Sequence, residues 1–151
     1  MILITRPKKE SLNLKKKIDS LGYESITAPL SYFRSLSFNL EAPKNKIILI
    51  SSPRATTILL NSNQIPKTTH LLIVGNSSFQ KFYQAGFKNI IHVTRNSDEM
   101  CNYINNGLKK ILKKFFFSQI LHLTGSISNN DFIEKVKHIK VRKLSFMRLN
   151  S

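Results

Sequence analysis

LLIVGNSSFQKFYQAGF, residues 71–87, passes from strand to loop to helix to stop in one short stretch. Leu71, Leu72, Ile73 and Val74 run straight into Gly75. A continuous apolar run bounded by turn residues suits a strand buried on both faces, as in a parallel sheet. Asn76, Ser77 and Ser78 bring side-chain oxygens able to accept from the free N–H groups that open a helix. Phe79, Phe82 and Tyr83 recur at helical spacing, and Gly86 is placed to end that helix. The loop between strand and helix carries the functional interest, because open parallel sheets bind ligands beyond the carboxyl ends of their strands. A helix N-terminus there offers unpaired N–H groups and the positive end of a dipole to an anion.

Outward from this stretch the same grammar repeats. Met1–Thr5 reads as a first strand, and Pro7 opens a helix whose Leu14, Ile18 and Leu21 share a face, with Gly22 as its stop. Tyr23–Ala28 is a second strand closed by Pro29, which completes a βαβ unit. Leu30–Lys44 has no periodicity, carries Pro43 and reads as a connection. Ile47–Ile50 restarts a buried strand, and Ser51-Ser52-Pro53 opens a helix with a capping serine and proline at its first position. Ala55, Ile58 and Leu59 form its inner face. Beyond the opening stretch, Asn89–Val93 is a strand and Ser97–Asp98 caps a helix over 98–114, with Met100, Ile104, Leu108, Ile111 and Leu112 in period. Phe115–Phe117 reads as core under a chain reversal. Gln119–Leu123 is a strand, Thr124-Gly125-Ser126 begins a polar loop, and Asp131–His138 is a helix with Phe132, Val136 and Ile139 inward. Val141–Phe146 is the last strand. This alternation predicts an α/β class with a parallel, flavodoxin-like sheet. The expected division is a βαβ piece of an incomplete first domain over 1–35, a linker over 36–45, a complete α/β domain over 46–142 and the start of a return link over 143–151.

Composition narrows the chemistry. The 151 residues fit one domain or one plus a fragment, and 41% hydrophobic residues suffice for a real core. No stretch has the length of a membrane span, and no membrane partner is expected. One cysteine, Cys101, forms no internal disulfide and fits a reducing cytoplasm, the expected location. His70, His92, His122 and His138 show no metal-ligand spacing, so no metal is expected. The 24 basic and 8 acidic residues leave +16, which favours an anionic partner. Lys15–Lys17, Lys109–Lys110 and Lys113–Lys114 nevertheless lack the aromatic interleaving that stacks bases, and no nucleic acid is expected. Ser52 lacks the G-x-S-x-G elbow, and neither GxGxxG nor a phosphate-loop motif occurs, which disfavours nucleotide cofactors.

Three loops remain: Ser51-Ser52-Pro53, Gly75-Asn76-Ser77-Ser78 and Thr124-Gly125-Ser126. All follow a strand and precede a helix, so all belong at one edge of the sheet, where hydroxyls and helix-start N–H groups suit a small-molecule anion.

The order of these blocks resembles uroporphyrinogen-III synthase. ILITRP with GYESITAPL is similar to that family's opening, IILISSPRA to its strand and serine/threonine-rich helix start, IVGNSSFQKFYQAGFKNI to its VG-x-x-T-A…AGF segment, and ILHLTG to its later strand–glycine turn. The resemblance implies a cofactor-free lyase of porphyrin and haem biosynthesis. It cyclises the linear tetrapyrrole hydroxymethylbilane to uroporphyrinogen III, losing water and inverting the last ring through a spiro intermediate, with two α/β domains flanking a cleft. It further implies that Arg6, Ser51, Ser52, Gly75, Asn76, Ser77, Gly125 and Ser126 hold the polycarboxylate. The family's hydroxyl threonine falls on Ser78, the implied catalytic position. Two departures follow. The chain ends at Ser151, where the family's return into the first domain begins, so a second polypeptide supplying the missing half is an expected partner. A tyrosine of the family's return strand falls on Met147. Both departures predict poor activity for this chain alone; a non-catalytic anion-binding or assembly module is the alternative, and a basic nucleic-acid-binding domain a remoter one.

Overall fold

The structure, a computed structural model, describes residues 1–36, 38, 40, 46–108, 110, 113, 119–125, 131–136 and 139–150. The chain divides into two compact units, Met1–Leu36 with Met147–Ser151, and Ser37–Phe146.

In the first unit, β1 (Ile2–Ile4), α1 (Lys8–Ser20) and β2 (Ser25–Thr27) make the βαβ crossover, and β1 pairs parallel to β2 with Leu3 opposite Ile26. Gly22, at φ +84°, takes the left-handed conformation that ends α1. Asp19 ties helix to strand: it accepts from the Ser25 hydroxyl at 2.7 Å and pairs with Lys15 at 2.9 Å. Little of this unit's apolar surface is covered. Met1, Ile2, Leu3, Leu12, Leu21, Tyr23, Ile26 and Leu30 are all exposed. The stretch read as a plain connection holds a strand, β3 (Tyr32–Ser35), which runs antiparallel to the far half of β8 (Val141–Asn150). Its four residues are too few to show alternation, and the partner strand makes it a strand. β8 correspondingly extends past Phe146.

The second unit is a sheet with helices on both faces. In it lie β4 (Lys46–Ile50), α2 (Pro53–Ser62), β5 (Leu71–Val74), α3 (Asn76–Gln84), β6 (Ile90–Thr94), α4 (Ser97–Tyr103), a π-helical turn (Ile104–Leu108), β7 (Gln119–Gly125), α5 (Asp131–Lys135) and the near half of β8. The predicted parallel α/β architecture is the one found: β7–β4, β4–β5 and β5–β6 are all parallel. Across the sheet the order is β8-β7-β4-β5-β6. Numbered from the unit's own first strand and read from the β6 edge, this is 3-2-1-4-5, the order of the dinucleotide-binding folds, and not flavodoxin's 2-1-3-4-5. Alternation along β4 sends Ile47 and Leu49 to one face, where they pack with Met100, Cys101, Ile104, Leu108 and Phe132 from α4, the π turn and α5. Ile48 and Ile50 go to the other, which α2 and α3 cover with Ala55, Leu59 and Phe82, all buried. β4 is therefore followed by a helix on one face and its neighbour β7 by a helix on the other. That makes the β4/β7 boundary the topological switch point, the usual place for a ligand in such sheets.

Several local readings change. The cap of α4 is Asn96, one residue before the expected Ser97–Asp98: its Oδ1 accepts from the Glu99 N–H at 2.9 Å, and the Glu99 carboxylate reaches back to accept from the Arg95 N–H, just before the cap, at 3.0 Å. The expected helix is interrupted: it is α-helical to Tyr103, π-helical over Ile104–Leu108, and α-helical again at Lys110 and Lys113. Tyr83 and Leu21 are exposed although their spacing put them inward. Ile111, Leu112 and Phe115–Phe117 lie outside the described residues. Among the described residues no helix is long and apolar enough to cross a membrane.

Candidate anion site at the carboxyl edge

Parallel pairing brings the ends of β4, β5, β6 and β7 to one edge: Ile50 lies opposite Leu123 and Ile73, and Val74 opposite Thr94. Ser51, Ser52, Gly75, Asn76, Ser77 and the backbone of Gly125 therefore share that edge. Arg6 is exposed in the first unit. Ser126 is outside the described residues. Thr124 and Gly125 belong to β7 itself and not to a loop, because the strand runs on to Gly125.

The edge groups differ in what they leave free. Ser52 is the cap of α2: its Oγ accepts from the N–H groups of Arg54 and Ala55 at 3.3 and 3.4 Å, and Pro53 has no N–H to offer. Arg54 adds a half-buried guanidinium in that first turn, its pKa lowered by burial. α3 is opened differently. Its cap is Gly75, and none of Asn76, Ser77 or Ser78 provides the expected side-chain cap. At φ +93°, ψ 128° Gly75 holds a conformation that side-chain-bearing residues avoid, and the chain turns there from strand to helix. Its N–H bonds the Thr94 carbonyl at 2.7 Å, and its own carbonyl accepts from Ser78 and Phe79 N–H at 3.1 and 3.2 Å. The N–H groups of Asn76 and Ser77, at exposed residues, have no backbone partner among the described residues and stand at the mouth of the helix. Ser78 is one turn in and buried, and its hydroxyl has no hydrogen-bond partner among the described residues.

One member of the edge was missed from sequence. His122, in the middle of β7, pairs with Leu49, so it shares a face with Leu49 and Ser51. Its Nε2 lies 2.7 Å from the Ser51 hydroxyl oxygen across the switch point. The ring is buried and packs on Phe132 with centroids 4.9 Å apart. Burial, helped by the positive charge of Lys143, lowers its pKa to about 4, so the imidazole is neutral near pH 7. Only the strand register joins Ser51 to His122; neither spacing nor composition signals the pair. No group of three or more acidic, histidine or cysteine side chains able to hold a metal occurs among the described residues.

The arrangement is a small donor-rich edge: two helix-start N–H groups at the positive end of α3, a half-buried serine braced by a histidine, and a nearby guanidinium. It has donors for carboxylate oxygens and, among the described residues, no paired acids for proton transfer.

No protein-family model matches this chain, and no curated protein matches it in sequence. Solved structures do match in fold. A uroporphyrinogen III synthase of Thermus thermophilus superposes with a TM-score of 0.64 at 10% identity, covering 98% of this chain and 62% of that one. A uroporphyrinogen-III synthetase of Helicobacter pylori gives 0.54 at 14% identity, covering 83% and 56%. The chain thus spans less than two thirds of either structure, and at these identities the likeness is one of fold.

Proposed function

We propose that this chain is a uroporphyrinogen-III-synthase-like protein. In this reading it holds hydroxymethylbilane, a linear tetrapyrrole polycarboxylate, at the carboxyl edge of its second unit for cofactor-free cyclisation with ring inversion and loss of water. The observation that carries the reading is the synthase fold over nearly the whole chain, with uncommitted donors at the switch-point edge of that fold. Donors fixed in advance favour a polyanion over neutral metabolites, and +16 draws it in from a distance. Catalysis of this kind rests on holding the flexible chain so that its ends meet in the ring-inverting geometry while water leaves. The N–H groups of Asn76 and Ser77 and the hydroxyl of Ser51 grip the carboxylates. Ser78, being buried, does not meet the substrate; its backbone N–H bonds the Gly75 carbonyl in the turn beneath them.

The activity also requires further polypeptide over the first unit. The exposed side chains of Ile2, Leu3, Leu12 and Ile26, together with the partial span of the solved synthases, support this.

The test is twofold. Purified chain should bind uroporphyrin, the stable oxidised ring, saturably, and with hydroxymethylbilane alone should yield mainly the spontaneous type I ring. Absence of ring binding refutes the reading. Type III turnover at the rate of a complete synthase would refute the requirement for further polypeptide.

A further inference from the structure

We propose that His122 is a positioning residue: its Nε2–H donates to the Ser51 oxygen and so turns the Ser51 hydroxyl hydrogen outward, as a fixed donor to a carboxylate at the switch point. The proposal rests on the reading of this edge as a carboxylate site and adds how one of its donors is set.

The short contact between Ser51 Oγ and His122 Nε2, 2.7 Å, has two possible directions. If serine donates, the imidazole carries its proton on Nδ1 and acts as a base toward a nucleophilic serine. If histidine donates, the serine oxygen is an acceptor and its own hydrogen is free. The surroundings decide between them. His122 is only 5% exposed, and its Nδ1 has no hydrogen-bond partner among the described residues. An N–H buried without an acceptor is rarer and costlier than a lone pair left unused, so the proton belongs on the partnered nitrogen, Nε2. The nucleophile arrangement also needs a group to hold Nδ1–H, usually a carboxylate, and none of the described residues bonds to Nδ1. The ring cannot swing to find one. It sits on β7 in register with Leu49 and is packed on Phe132.

With one lone pair engaged by the imidazole, the half-buried Ser51 has its O–H free to donate, beside one remaining lone pair. Accepting from an imidazole polarises that O–H and makes it a better donor. Ser51 directly follows the last residue of β4, so the donor stands at the carboxyl edge where strand order places a ligand. The brace thereby biases Ser51 toward donating to an oxygen acceptor, a bias that an unbraced serine, free to rotate, does not have.

A long-range ¹H–¹⁵N spectrum of the full chain reads the tautomer directly. The expected pattern for His122 is a protonated Nε2 and a bare Nδ1; the reverse overturns the proposal, whatever the chain binds. Uroporphyrin titrations of S51A, H122L and H122Q then test the consequence. S51A and H122L should each weaken binding about five-fold, the order of one hydrogen bond. H122Q keeps an N–H at the reach of Nε2 and should recover most of the loss. Binding by H122L equal to the unmodified chain, or no recovery in a folded H122Q, overturns the positioning role. If the unmodified chain shows the Nε2–H tautomer yet binds no uroporphyrin, the carboxylate assignment falls together with the tetrapyrrole reading, and only the hydrogen-bond direction stands.

Discussion

Acid should destabilise this protein through His122 before it reaches most of the carboxylates. In the folded chain the ring is buried and titrates near 4; in the unfolded chain it titrates near 6.5. Between these values the unfolded state binds the proton and the folded state does not, so stability rises with pH across the window. The contribution is complete above 6.5, declines as pH falls, and is gone below about 4. The two pKa values give a loss of about 2 kcal/mol by pH 5 and about 3 kcal/mol by pH 4, relative to neutral pH. For a chain of this size that is a sizeable share of the usual margin. His70, whose pKa burial also lowers, acts in the same direction, so the effect must be isolated by difference.

Urea unfolding of the unmodified chain and of H122Q at pH 7, 6, 5 and 4 supplies that difference, because glutamine does not titrate. The two stability curves should converge or cross as pH falls, the unmodified chain losing about 3 kcal/mol more than the variant. The His122 ring resonances, followed against pH, should report the low pKa independently. Parallel stability curves together with an apparent pKa near 6.5 would refute the reasoning, since they would mean that the imidazole is solvated in the folded state.

Other consequences can be checked on the same material. Ser78→Ala removes a buried hydroxyl with no described partner, so stability should stay level or rise by up to about 1 kcal/mol; a clear fall in the urea midpoint would show that the hydroxyl is bonded. Gly75→Ala meets no atom within 4 Å of the new methyl, so its expected cost of about 1–3 kcal/mol is purely conformational, and a neutral result would contradict the turn geometry. Amide exchange should be slow in the four-residue core of β5 and in β4, and fast in β1 and β2, whose two-stranded sheet carries Ile2, Leu3 and Ile26 exposed; equal protection in both units would count against the marginal stability of the first.

Much of the architecture was legible because burial leaves a local trace. The short apolar runs at Ile47–Ile50 and Leu71–Val74, bounded by turn residues, suit strands covered on both faces, and both are fully interior. Gly22 and Gly86 both have positive φ, at the helix ends where the pattern put them. What local pattern could not carry was competition between adjacent candidates. Asn76, Ser77 and Ser78 each have a capping side chain, yet the turn out of β5 needs a positive φ at Gly75, so the glycine takes the cap position and the three polar residues fall inside the helix. At α4 the cap falls to Asn96 among Asn96, Ser97 and Asp98, because its amide both accepts from the Glu99 N–H and donates to the Glu99 carboxylate. β3 shows the same limit from the other side, since four residues become a strand only because β8 lies beside them.

The edge illustrates how function escapes a one-dimensional reading. Three serine- or glycine-bearing loops could be assigned to one edge from chain order alone, because strands that alternate with helices run parallel. Which hydroxyls are free could not. Ser52 is spent on capping α2 and Ser78 is shut inside α3, whereas Ser51 is half-buried and braced from another strand. That brace exists because β7, far away in sequence, lies beside β4 in the register that sets His122 opposite Leu49. A one-residue slip would send the imidazole to the α2–α3 face and leave Ser51 to rotate freely. The side chain that orients the candidate donor is thus specified by sheet register. For that reason the reading of this edge should be tested at His122 as well as at the serines a motif search would choose.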